Sequence, residues 1–281
     1  MPARSLNGMT ADQQVRAVAP VWDIATPTQP SRLPGVTMAG FRQSAAGRID
    51  LTIVPYPAVT VGIDLAGSMT IDDNGRRARD SVVLGIGAGK RTVRGTGIEV
   101  LQVRLSPVVA QTVLGRGAGA DGSVLPLDEL WGDDARRLRE RLAEAVTWDD
   151  RFAIAETALA RRLHPSPTTD PEVAYGWSQI VGQQGQVRVD EIAAAVGWSR
   201  KRLWSRFRAQ VGATPKHAAR LVRFDHAAHR LAGGDRREDL GLELVRAGQD
   251  QAHGAELVHG GDQRRGDVDP GDLLDHDAGR D

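Results

Sequence analysis

At 281 residues, with 36 basic and 36 acidic side chains and no formal net charge, the chain has the length of two domains rather than one. A hydrophobic content of 41% can bury ordinary cores, and zero cysteines exclude a disulfide framework, an iron–sulfur cluster and thiolate zinc sites, which suits a reducing compartment. No apolar run follows the first residues as a signal peptide needs, and no stretch approaches the ~20 apolar residues of a membrane span, so the expectation is a cytoplasmic chain with no membrane partner.

Residues 1–34 hold five prolines and few apolar clusters, and read as a loosely ordered lead-in. From about Gly35 to Leu105 the pattern turns to short strand-like runs. Ile49–Val54, Val59–Leu65, Ser81–Leu84 and Ile98–Leu105 are such runs, and Asp72-Asp73-Asn74-Gly75 is a hairpin turn signal. Strands at this spacing predict a small antiparallel sandwich or barrel. Gly85-Ile86-Gly87-Ala88-Gly89-Lys90 fails as a phosphate loop, because position 84 is Leu and position 91 is Arg; it reads as a turn between strands. Gly115–Gly122 contains no lysine and reads as a flexible loop.

Helical spacing takes over after Pro107. One short helix is predicted from Pro107 to Leu114. A second, capped by Asp133 or Asp134, runs through Val146 with Leu138, Leu142 and Ala145 inward. Thr147 and Asp150 have capping-box spacing, with Asp in place of Glu. They open a helix carrying Phe152, Ala155, Ala158, Leu159 and Leu163. Residues 35–163 thus form a β-rich domain with trailing helices. The first histidine of the chain is His164, so this domain has neither the histidine cluster of a metal-dependent enzyme nor a histidine partner for Ser68 or Ser81. Its carboxylates are scattered. We expect no enzyme, no cofactor and no metal. Residues 164–170, His-Pro-Ser-Pro-Thr-Thr-Asp, are a linker, and Asp170 then caps a helix with Pro171 at its first position, running to about Gln184.

Residues 189–212 carry the most informative pattern. Val189, Ile192, Ala193 and Val196 share one helical face. Gly197 ends that helix, Ser199 caps the next, Leu203, Phe207 and Val211 recur four apart, and Gly212 closes it. Two short helices joined by a glycine turn match the helix-turn-helix that sets its second helix in a DNA major groove. Arg200, Lys201 and Arg202 fill the first turn of that second helix, where the macrodipole disfavours cations unless an anion docks there. With Leu203 and Phe207 inward, Lys201, Arg202, Ser205, Arg208 and Ala209 face outward and Trp204 lies on the flank. The alternative is a merely solvated helix face. A third helix follows Thr214-Pro215, with Ala218, Leu221, Val222, Ala228 and Leu231 in helical spacing. Nine Lys/Arg lie between Ser199 and Arg230 against one acid, Asp225, a local excess of the kind that binds nucleic acid.

Residues 187–231 resemble the first half of an AraC-type DNA-binding domain, a family of bacterial transcription regulators. The likeness rests on Ile192-Ala193, Gly197-Trp198-Ser199, Leu203, Phe207-Arg208, Gly212-Ala213-Thr214-Pro215 and Arg220–Phe224 in order. It implies an α+β chain: a cupin-like small antiparallel β-barrel or sandwich, then an all-α helix-turn-helix domain at 171–232. It implies that domain 35–163 senses a small-molecule effector or mediates homodimer formation, and that double-stranded DNA is the partner. Carried over by position, the base-reading places fall on Lys201, Trp204 and Ser205, although Arg or Gln would make stronger bidentate contacts there than Trp or Ser. Trp204 either packs on a thymine methyl or sugar, or caps the core. Ser199, Arg200, Arg202 and Arg208 complete the expected DNA-binding set, the arginines on phosphates.

Residues 233–281 depart from that pattern. From 235 onward there are thirteen Asp/Glu, six Arg, eight glycines and no aromatic residue, a composition that favours disorder. The family would carry a second helix-turn-helix here. Either a reading-frame change near Gly233 or a divergent tail accounts for its absence, and the coding DNA distinguishes them. His253, His259 and His276 are irregularly spaced and read as solvated rather than metal-binding. The resulting expectation is a sequence-specific regulator impaired by loss of its second head. The alternative is an effector-sensing or dimerisation protein with a vestigial DNA-binding head.

Overall fold

A computed structural model describes residues 22–86, 91–115, 122, 124–163 and 169–231. Residues 1–21, most of both glycine-rich stretches, the linker at 164–168 and the tail expected to be disordered lie outside the described residues.

Among the described residues, ten strands form two antiparallel sheets. The six-stranded sheet has the order β1 (Trp22–Ala25), β2 (Val36–Gln43), β9 (Glu99–Leu105), β4 (Val59–Asp64), β7 (Val82–Leu84), β10 (Val124–Pro126); the four-stranded sheet has β3 (Arg48–Ile53), β8 (Arg91–Thr96), β5 (Thr70–Asp73), β6 (Arg76–Arg79). Among the described residues, regular structure begins at Trp22, inside the stretch expected to be a loose lead-in. Trp22 pairs with Gln43 in the sheet register, and its buried ring meets Phe41 edge-on at 6.3 Å. Four residues are too few to show a period, so only the pairing with β2 reveals this strand. The hairpin at Asp72–Gly75 has the predicted geometry. Asn74 and Gly75 both have positive φ, 53° and 91°, as a type I′ turn demands.

Between the sheets lie Phe41, Ile49, Leu51, Met69, Ile71, Val93, Ile98 and Val100. The opposite face of the larger sheet turns Met38, Val61, Ile63, Leu101 and Val103 toward the helices. Those helices are α1 (Pro107–Leu114), α2 (Leu127–Trp131), α3 (Asp133–Glu144) and α4 (Trp148–Arg162), followed by α5 (Pro171–Gly182), α6 (Val189–Ala195), α7 (Arg200–Val211) and α8 (Pro215–Leu231). Buried side chains continue without a break from the sheet through α1–α4 into α5–α8.

Two caps differ from expectation. Gly132 takes the N-cap place of α3, which makes Asp133 its first helical residue, and α3 ends at Glu144 rather than Val146. At α4 the Thr147 hydroxyl oxygen accepts from the Asp150 N–H at 3.1 Å. The hydroxyl itself donates to Asp150 Oδ2 at 2.6 Å. Aspartate is one methylene shorter than the usual glutamate, and its carboxylate takes this hydroxyl rather than the cap backbone.

Candidate nucleic-acid interface

Helices α6 and α7 are set by the residues that punctuate them. Gly197, at φ 67°, turns the chain, and the Trp198 N–H closes on the Ala193 carbonyl at 2.9 Å. Ser199 then caps α7, its oxygen accepting from the Arg202 N–H at 3.2 Å. Gly212, in the left-handed region, ends the helix. Inward, Leu203, Phe207 and Val211 are fully buried. Close approach to α5 depends on Gly176, where a Cβ would stand 3.2 Å from Ile192 Cγ2 and 3.5 Å from the Phe207 ring.

The outward side chains are Arg200, Lys201, Arg202, Trp204, Ser205 and Arg208, all exposed, as is Ser199. Trp204 is 47% exposed, so it does not cap the core. Two arginines lie over tryptophan rings: Arg202 over Trp198 at 4.4 Å and Arg208 over Trp204 at 5.5 Å. Such stacking holds the orientation of a guanidinium whose donor edge points away from the ring. Lys201 makes no ion pair with any described residue. The face is thus a ridge of cations with a hydroxyl and an indole between them. It can donate to phosphate oxygens and to base edges.

The expectation that these cations lack acidic partners is corrected at two positions. Arg200 Nε lies 2.9 Å from Asp190 Oδ1 on α6, in an exposed pair. Arg206 makes a two-pronged pair with Asp170, at 2.7 and 2.9 Å. Asp170 stands at the N-cap of α5 as expected but makes no side-chain cap bond. Its carboxylate is committed to Arg206, whose guanidinium holds it below the ordinary carboxylate range. Both acids precede the 199–230 window, so a count within that window misses them. Helix α1 of the β-rich part also packs against α7, and the outward side chains stay exposed beside that contact.

Among the described residues no group of His, Cys, Asp and Glu is placed to hold a metal ion, and no helix is long and apolar enough to cross a membrane.

No family model matches the chain, and no curated protein matches it in sequence. Among solved structures it is similar to an apo point variant of ToxT from Vibrio cholerae, at 13% identity and a TM-score of 0.42, over 78% of this chain and 90% of that one. It is similar to unsaturated fatty acid-bound ToxT of the same organism at 9% identity and 0.43, again over 78% and 90%. It is also similar to a cupin superfamily protein from Desulfitobacterium hafniense, at 16% identity and 0.25, over 30% of this chain and 76% of that one.

Proposed function

We propose that the chain is a sequence-specific DNA-binding transcription regulator of AraC type, with α7 lying in a major groove. The observation that carries this reading is the exposed outward face of α7, cationic from its first turn, on a helix whose other face is fully buried. Lys201, Trp204 and Ser205 face base edges. Arg202 and Arg208 reach phosphates, and Arg200 exchanges its exposed Asp190 partner for a phosphate. A carboxylate in an exposed pair is readily displaced, since such pairs contribute little. Ser199 orients the helix end toward the backbone. This function places the protein in the cytoplasm.

One reading head binds weakly. A second, linked head adds roughly 10²–10⁴-fold through effective concentration, so a chain that lacks its own needs a homodimer to recover it. Selecting genomic fragments on the full chain tests the reading: enrichment of a shared short sequence supports it, and fragments without one oppose it.

A second reading, an effector-sensing protein with a vestigial head, draws on the space between the two sheets. A cavity of about 60 Å³ there is bounded by Trp22, Met69, Ile71 and Val100, with Arg104 on its wall, the guanidinium stacked 3.8 Å from the Tyr56 ring centre. Such a volume admits a few waters, so a small-molecule effector must part the sheets to enter. DNA binding that is absent while a ligand raises the melting temperature favours this alternative.

A further inference from the structure

A second cationic surface, far from helix α7 in sequence, covers the outer face of the four-stranded sheet. Alternation sends Ile49, Leu51, Ile71 and Val93 into the core and leaves their neighbours outside. In one register row Asp50, Arg94, Thr70 and Arg79 stand side by side across all four strands. The flanking rows pair Asp72 with Arg77 and Arg48 with Thr96.

These arginines are not equivalent. Arg94 is held between Asp50, at 2.8 Å, and Asp72, at 3.4 Å. Arg77 shares Asp72 at 3.8 Å. Arg48 and Arg79 are exposed and form no ion pair with any described residue. All four guanidiniums line one concavity of about 470 Å³, together with the hydroxyls of Thr70 and Thr96 and a single carboxylate, Asp72. A solvated sheet face gains most from alternating charge across its strands; four cations against two acids, Asp50 and Asp72, leave an excess of two positive charges.

We propose that this concavity is a binding site for a phosphate-bearing small molecule, an ester or a diphosphate. Guanidiniums donate in forked pairs to phosphate oxygens, and a tetrahedral phosphate can accept from several directions at once. Arg48 and Arg79 lie three strand spacings and a two-residue offset apart, about 16 Å at the backbone, with the doubly paired Arg94 between them. That span suits a ligand with several anionic oxygens better than a lone carboxylate. A hollow of this size takes a small molecule, whereas a duplex needs a ridge that enters its groove. The proposal stands independently of the DNA-binding reading.

Calorimetric titration of the full chain with inorganic pyrophosphate, at about 150 mM salt to screen diffuse attraction, tests it. Three proteins are compared: the native chain, R48Q/R79Q, and R200Q/K201Q on helix α7. Saturable binding that weakens about tenfold or more in R48Q/R79Q and persists in R200Q/K201Q supports the site, provided thermal unfolding shows both variants folded. No saturable heat overturns it, as does binding unchanged in R48Q/R79Q or lost only in R200Q/K201Q. So does a finding that R48Q/R79Q weakens duplex DNA binding while pyrophosphate gives no heat, since the surface then serves nucleic acid.

Discussion

Arg206 on α7 and Asp170 at the start of α5 form a two-pronged ion pair, 36 residues apart in sequence, that ties the outward-facing helix to the first helix of its bundle. The Asp170 N–H adds a second tie, donating to Gln210 Oε1 at 2.8 Å. Among the cations of α7, Arg206 therefore serves position rather than contact. Its partner's lowered pKa means that the pair's contribution is fully present above the ordinary aspartate range and is lost as pH falls through the folded-state value. Asp170→Asn should lower the melting temperature slightly at neutral pH and leave it unchanged in acid. It should also reduce DNA affinity less than loss of Arg208 does. A melting series across pH measures the first effect and a binding titration the second.

In the β-rich part, Gly40 and Trp148 are a packing pair. A Cβ at Gly40 would stand 2.3 Å from Trp148 Cε3, so the indole rests directly on the backbone of β2. Gly40→Ala should destabilise by about 1–3 kcal/mol through overpacking. Trp148→Ala added to it should cost less than the two single losses summed, because the second change removes the clash. Chemical denaturation of the four proteins gives the coupling.

Glu99 joins both sheet and helix layers, accepting from Arg42 at 2.7 Å and from Arg151 at 2.6 Å. Burial alone would raise its pKa, but the bonds and charges of Arg151 and Arg42 together outweigh it and leave the group below its ordinary value. Its contribution is present above the ordinary glutamate range and disappears as pH falls through the folded-state value. Glu99→Gln should destabilise by about 1–3 kcal/mol at neutral pH, with a shallower decline of stability in acid. Denaturation midpoints at several pH values read both.

Leu203 and Trp204 are sequence neighbours on α7, about 100° apart around its axis, the first buried and the second half-exposed. Leu203→Ala opens a buried site and should cost about 2–5 kcal/mol. Trp204→Ala, at a half-exposed position, should stay within about 0.5 kcal/mol yet weaken DNA binding. Melting curves beside binding titrations separate the two; a large stability loss at Trp204 would reassign it to the core.

Helices α6 and α7 were legible because each of their punctuation marks is a residue with a conformational reason: Gly197 and Gly212 at positive φ, Ser199 as a cap, and Leu203, Phe207 and Val211 on one face. The β-rich part was legible only in places. Strand β2, Val-Thr-Met-Ala-Gly-Phe-Arg-Gln, is buried on both sides along much of its length, so it lacks the alternation that marks a half-exposed strand. Strand β6, Arg-Arg-Ala-Arg, offers one apolar residue and takes its place from pairing with β5. Contacts between distant residues had no local signal. Asp170 beside Pro171 has the identity of a helix cap, and nothing near it in sequence shows that its carboxylate is claimed by Arg206.

On this reading the exposed face of α7 neutralises DNA phosphates. This is tested most directly by the affinity of the full chain for duplex DNA at two salt concentrations, with and without Arg208. Affinity should fall steeply with salt, with a log–log slope of roughly −0.9 for each phosphate neutralised, and the slope should be about one unit shallower in Arg208→Ala. An affinity that does not change with salt, or a slope that Arg208→Ala leaves untouched, would contradict it.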